Sequence, residues 1–107
     1  MDKIKSLNAV YTGGGIWLFY GELNANSWFL ADDYGCICIC DANPDNLDDS
    51  LSAEWQEKHI CFEVDDTNER ADFLHELLYR LRNPRLLDDL GGITRIEIDH
   101  YSNSFFE

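Results

Sequence analysis

The side chains of this 107-residue chain that could do chemistry are four cysteines, three histidines and a dense run of carboxylates. Cys36, Cys38 and Cys40 alternate with isoleucine in "CICIC", and Cys61 stands apart. A zinc–thiolate centre needs every sulfur about 2.3 Å from one ion. Residues i, i+2 and i+4 of a straight strand span about 13 Å, so these three sulfurs cannot converge without a sharp bend. The sequence has no C-x-x-C pair either. Disulfides fit no better: strand neighbours two apart lie about 6.6 Å from each other with parallel Cβ vectors. The spacing predicts reduced thiols serving as small apolar residues, no metal and no other cofactor.

The segment "DANPDNLDDSLS" puts oxygen-bearing side chains at Asp41, Asn43, Asp45 and Asp49, which are positions 1, 3, 5 and 9 of a calcium loop. Pro44, Asn46 and Ser52 stand where such a loop needs a flexible residue, a glycine and a bidentate glutamate. That mismatch argues against a calcium sensor and leaves weak binding open. Gly13, Gly14 and Gly15 could form an anion-binding nest. They are followed by the strand-like Ile16-Trp17-Leu18-Phe19 and not by a lysine and a helix, so a hairpin loop is the expectation. His59, His75 and His100 have no partner at metal or triad spacing. The chain is therefore not expected to be an enzyme.

Charge is the strongest signal. The net charge is −13. The stretch from Asp32 to Asp66 contains eleven carboxylates and one base, Lys58. A surface this anionic repels nucleic acid and acidic membranes and attracts basic proteins and cations. A domain of this length spans roughly 30 Å, duplex DNA of that length carries about eighteen charges, and a net −13 on so small a body is of comparable density. A rigid surface of this kind could occupy a basic groove in place of phosphates.

The elements that would hold these residues follow from periodicity. The length suits one domain, spanning residues 1–107. Apolar residues make up 45%, too many for a disordered acidic tail. Strands are expected over Ile4–Tyr11, Ile16–Leu23, Trp28–Ala31 and Cys36–Asp41, joined as a meander. A helix is expected over Ser50–Lys58, capped by Ser50 or Ser52. A strand over His59–Val64 should point Ile60, Phe62 and Val64 inward. The long helix, Asp66–Asn83, carries a stripe of Ala71, Leu74, Leu78 and Leu81, widened by Phe73 and Leu77. Asp66 and Glu69 stand at capping-box spacing. Asn83-Pro84 opens a short helical turn, and Ile93–Tyr101 reads as a last strand. The fold class is α+β: an antiparallel β-meander sheet with one long and one or two short helices packed on one face. No run is long enough to cross a bilayer, and the start has no signal-peptide character, so the cytoplasm is the expected compartment.

The segments "IKSLNAVYTGGGIWLFYGELN" and "WFLADDYG", with the motifs Tyr11-Thr12-Gly13-Gly14-Gly15 and Ala31-Asp32-Asp33, resemble the N-terminal half of a group of small acidic proteins. These are encoded on phage and conjugative elements of gut bacteria. The resemblance covers about the first forty residues. It carries over no catalytic residues. It implies a setting in which small acidic proteins block host defence, as anti-CRISPR and antirestriction proteins do.

The expectation that combines charge and resemblance is a non-enzymatic inhibitor. Its partner would be a basic nucleic-acid-handling protein, such as a CRISPR effector or restriction enzyme. The expected contacts are Asp32, Asp33, Asp41, Asp45, Asp48, Asp49, Glu54, Glu57, Asp65 and Asp66. The alternatives are a general interaction module using exposed aromatics with Arg80, Arg82 and Arg85, and a small ligand-binding domain.

Overall fold

A computed structural model describes residues 4–11, 17–24 and 26–81. Within them the chain builds β1 (Asn8–Tyr11), β2 (Trp17–Asn24), β3 (Ser27–Asp32), β4 (Ile37–Cys40), α1 (Leu47–Ser50), α2 (Ala53–His59), β5 (Ile60–Glu63) and α3 (Thr67–Leu81). The five strands pair antiparallel in chain order, β1-β2-β3-β4-β5. The fold is α+β, with a meander sheet and α3 packed on it.

Alternation explains which face is which. Ala9, Phe19, Ala31 and Ile37 form one cross-strand row, and Phe29 and Ile39 the next. All six are buried. Phe73, Leu74, Leu77, Leu78 and Leu81 of α3 join them in one core cluster. Phe73 meets Phe29 edge to face, with ring centroids 5.0 Å apart. Full burial of each such side chain is worth roughly 1.5–3 kcal/mol, so this layer dominates the stability of the sheet–helix unit.

Three expectations are revised, each for a local reason. The first strand begins at Asn8, not at Ile4. Lys5 and Ser6 N–H both donate to the Glu22 carbonyl, and Glu22 N–H donates to Ser6 Oγ at 2.8 Å. The serine side chain thus replaces a ladder bond. Residues 4–7 then press on Gly21, where an added Cβ would collide with the Ser6 carbonyl oxygen.

The single helix expected over 50–58 is two. Asn46 caps α1 and Ser52 caps α2, its Oγ accepting from Trp55 N–H at 3.2 Å. Ser50 is fully buried and donates to the Leu47 carbonyl. In β5, Val64 is buried beyond the strand end, but Phe62 is 54% exposed. Phe62 pairs with Ile39 on a strand that has a partner on one side only among the described residues.

The long helix begins as expected. Asp66 Oδ1 accepts from Asn68 and Glu69 N–H, both at 3.0 Å. The expected stripe is buried apart from half-exposed Ala71. Glu76 and Arg80 form an i,i+4 pair at 3.1 Å. The glycine loop, Arg82, Arg85, the Asn83 turn and the Ile93–Tyr101 strand lie outside the described residues. Among those described, no helix is long and apolar enough to cross a membrane.

Candidate functional site

The acidic segment runs along β4, turns through α1 and α2, and returns along β5. Antiparallel pairing sorts its carboxylates to two ends of the sheet. Val64 N–H donates to the Ile37 carbonyl at one end, and Asp41 N–H to the His59 carbonyl at the other. Asp65 and Asp66 therefore leave beside the β3–β4 hairpin with Asp32 and Asp33. Asp41, Asp45, Asp48, Asp49, Glu54 and Glu57 gather at the opposite, helical end. From Cys36 to Asp41 is five strand steps, on the order of 15 Å. The ten expected contact residues thus form two clusters.

At the hairpin end the carboxylates are largely occupied by the fold. Asp32 Oδ1 accepts from Tyr34 N–H at 2.9 Å and Cys36 N–H at 3.0 Å. Gly35 N–H donates to the Asp32 carbonyl, and Gly35 has φ +88°. Aspartate at the first position and a left-handed glycine at the fourth make a type I turn closed by a glycine bulge. Asp33 Oδ2 accepts from Trp17 N–H at 3.3 Å, tying the turn to β2. Asp66 caps α3. Asp65 is exposed and has no such bond among the described residues.

The sequence reading missed Arg70. It stands on the first turns of α3, and its Nε donates to the Gly35 carbonyl at 2.9 Å. A Cβ on Gly35 would meet only the tip of the Arg70 guanidinium, which can shift, so it is the φ of +88° that requires glycine here. No spacing rule links positions 35 and 70; only the docking of α3 brings them together. Glu63 was also left out, although it sits close enough to influence the Cys36 thiol.

At the helical end the carboxylates face water. Asp45, Asp48, Asp49, Glu54 and Glu57 are exposed. Asp49 Oδ2 accepts from Asn46 Nδ2 at 3.2 Å, and Glu54 pairs with Lys58 at 3.3 Å. Asp41 Oδ1 accepts from His59 Nδ1 at 2.9 Å, and the His59 ring lies 5.0 Å from that of Trp55. Because a carboxylate only accepts, this contact places a proton on Nδ1. An open groove of about 250 Å³ runs between Asp49, Ser52, Glu54, Trp55, Lys58 and His59.

That groove contains a serine and His59, whose ring is paired with Asp41 outside it, yet Ser52 is not poised as a nucleophile. Its Oγ donates to the Asp49 carbonyl at 2.6 Å and accepts from Trp55 N–H, so its proton and a lone pair hold the helix cap. The oxygen-rich segment does not close on a point either. Asp41 turns to His59, Asp49 to Asn46, and Asp45 to a separate concavity beside Trp28. Among the described residues no three His, Cys, Asp or Glu side chains group to hold a metal ion.

The four cysteines are free. Burial pushes the Cys40 thiol up to about 12, with smaller contributions from Cys38, Cys61 and Asp41. Cys38 is raised by burial and then by Glu63. Cys36 is raised by partial burial and by Asp32 and Glu63, against which Arg70 acts in the opposite direction. Neutral thiols are poor nucleophiles and poor metal ligands.

No protein-family model matches the chain, and no curated protein or solved structure matches it.

Proposed function

We propose that this chain is a binding protein whose carboxylates dock on a basic surface of a nucleic-acid-handling defence protein and compete with its nucleic acid. One observation carries the reading. At the helical end, the exposed carboxylates of Asp45, Asp48 and Glu57 have no cationic partner among the described residues. Unneutralised charge on a small body works against the compact state and strengthens attraction to a basic partner. The separation of the two clusters supports the same reading, because about 15 Å is comparable with the roughly 12 Å width of a major groove flanked by phosphates. The resemblance of the first forty residues to mobile-element proteins suggests host defence as the setting.

A second reading has its own support. Tyr34 and Phe62 are 72% and 54% exposed, which suits an interaction module held by aromatic contacts. Salt separates the two. Charge-driven docking weakens steeply as salt rises, whereas aromatic docking does not.

The test uses a partner captured from host lysate and then purified. Asp45, Asp48 and Glu57 are replaced together with Asn, Asn and Gln, which spares the carboxylates that hold the fold. The proposal expects weaker binding, a shallower salt dependence and loss of competition with the partner's nucleic acid. Unchanged binding and competition would exclude the helical end as the contact surface.

A further inference from the structure

A second concavity, on the sheet face turned away from α3, shares only Asp45 with the acidic clusters. Its volume is about 270 Å³, and Asn8, Tyr20, Glu22, Trp28, Asn43 and Asp45 line it. Strand register builds most of it. Asn8 stands opposite Tyr20, and Glu22 opposite Trp28. Residues paired in this way share a face, with Cβ atoms about 4.5–5.5 Å apart. Tyr20 and Trp28 are then diagonal neighbours about 7–8 Å apart, a separation that places both aromatic side chains at one site. The Asn43–Asp45 turn, which follows β4, closes the end.

We infer that this concavity binds an aliphatic guanidinium or ammonium group, carried by a protein's arginine or lysine or by a small free amine. Three features converge. The Trp28 and Tyr20 rings offer π faces, which attract a cation within about 6 Å. The Glu22 and Asp45 carboxylates have no cationic partner among the described residues. The Asn8 and Asn43 side chains add amide carbonyls, so the concavity is rich in acceptors, and a guanidinium is a donor-only fork with five N–H groups.

The helical-end groove provides the contrast. It also has a tryptophan and carboxylates, but Lys58 and His59 already sit in it. The sheet-face concavity has the same acidic and aromatic character and, among the described residues, no cation lining it. A polyol would find hydrogen bonds here too, yet it would leave both carboxylates unneutralised.

This inference draws on the proposed function only for the protein source of the cation, and its test needs no partner. The whole protein, labelled for NMR, is titrated with N-acetyl-arginine amide, agmatine, N-acetyl-citrulline amide and methyl glucoside, each to about 20 mM, a range that detects weak Kd values. The expected result is saturable movement of the Trp28 indole N–H signal with the two guanidinium probes. The neutral citrulline isostere should bind roughly tenfold more weakly, since it loses the charge on which both carboxylates and rings act. Agmatine binding more tightly than the arginine probe assigns the site to small free amines; the reverse assigns it to a protein side chain.

The E22Q/D45N double variant should lose roughly tenfold in affinity, while E54Q in the other groove keeps it. Both changes are isosteric, so the fold is checked by the unchanged remainder of the spectrum. Equal binding of arginine and citrulline probes, preference for the glucoside, unaltered affinity in E22Q/D45N, or no movement at Trp28 would each overturn the inference. Asp45 is common to this test and the salt-dependent partner test, so E22Q alone, which the partner test does not use, and the free probes keep the two failures distinguishable: E22Q should weaken the arginine probe whatever the partner test shows.

Discussion

At the hairpin end, Asp32 gives one carboxylate oxygen to two backbone amides and Asp66 gives one to two more. At the helical end, Asp48 and Glu57 extend into water from two short helices and bond to nothing among the described residues. The residue types are the same and the local charge is similar. The difference lies in where the backbone leaves amides unpaired. A tight turn and the start of α3 each expose N–H groups that need acceptors, and aspartate is the side chain that reaches them. Residue type and local charge therefore do not separate carboxylates that fold the chain from carboxylates free to meet a partner. Their hydrogen bonds do.

The largest effect expected is one that should not distinguish the two ends. Leu78 lies in the core cluster under the sheet. Leu78→Ala should cost about 2–5 kcal/mol, measured by urea unfolding. Because α3 packs on the sheet that carries both clusters, signals from the two ends should unfold together. A loss below about 1 kcal/mol would show that the helix face is not the one described.

The next effect separates them. Asp32→Ala leaves two turn amides without their acceptor and should cost about 2 kcal/mol. Asp48→Ala should change stability by no more than about 0.5 kcal/mol. Similar costs at both positions would dissolve the distinction between a structural and an exposed cluster. Gly35→Ala belongs with Asp32, since the alanine would be strained at positive φ.

Much of this was legible in the sequence. Alternation located the strands, and the heptad-like stripe located α3, because burial of one face imposes those periods on any sequence. Asp66 was readable as a cap from its position before the stripe. The Asp32–Gly35 turn was readable from its glycine, but the role of the Asp32 carboxylate was not, since an Asx-type bond looks like any other acid in a charge count. The split of the acidic segment follows from antiparallel pairing of β4 with β5, which charge counting along the chain cannot register. Arg70 on Gly35, and Glu22 beside Trp28, depend on docking and register between distant segments. Phe62 was misplaced because period two assigns a side, and β5 has a partner strand on one side only among the described residues.

The thiols give a third, smaller difference. Cys40 is almost fully buried and its thiol is pushed up to about 12 by that burial, whereas Cys36 and Cys61 are exposed. Alkylation near pH 8 should label Cys61 and Cys36 before Cys38, and Cys40 last, as followed by peptide mass. Stability should follow from the sign of the Cys40 shift. Below about pH 9 the thiol is protonated in folded and unfolded chains alike, and its contribution is fully present. Between about pH 9 and pH 12 the unfolded chain ionises while the folded one does not, so stability falls with rising pH, by up to about 1.4 kcal/mol per unit. Cys40→Ser should flatten that fall. An unchanged slope in the variant would mean that other groups cause it.

The smallest effect expected is at the pair that most resembles a structural contact within the helical cluster. Glu54 precedes Lys58 by four residues on α2, at 3.3 Å, with both side chains largely exposed. The order suits the helix dipole, since Glu54 lies in the first turn and Lys58 in the last. Water and salt screen such a pair, and two long side chains lose freedom to hold it, so its worth is about 0.3–0.5 kcal/mol. Glu54→Gln should lower the unfolding midpoint only slightly, and added salt should erase even that. The same substitution frees Lys58, placing a cation beside Asp49 and Trp55 in the groove. If the helical cluster is a docking surface, E54Q should weaken partner binding by more than it weakens folding, because it removes one negative charge and unmasks a positive one. A stability loss above about 1 kcal/mol, measured at both low and high salt, would place Glu54 with Asp32 among the carboxylates that hold the fold. The helical cluster would then lose its claim to be the part of the acidic surface that folding leaves free.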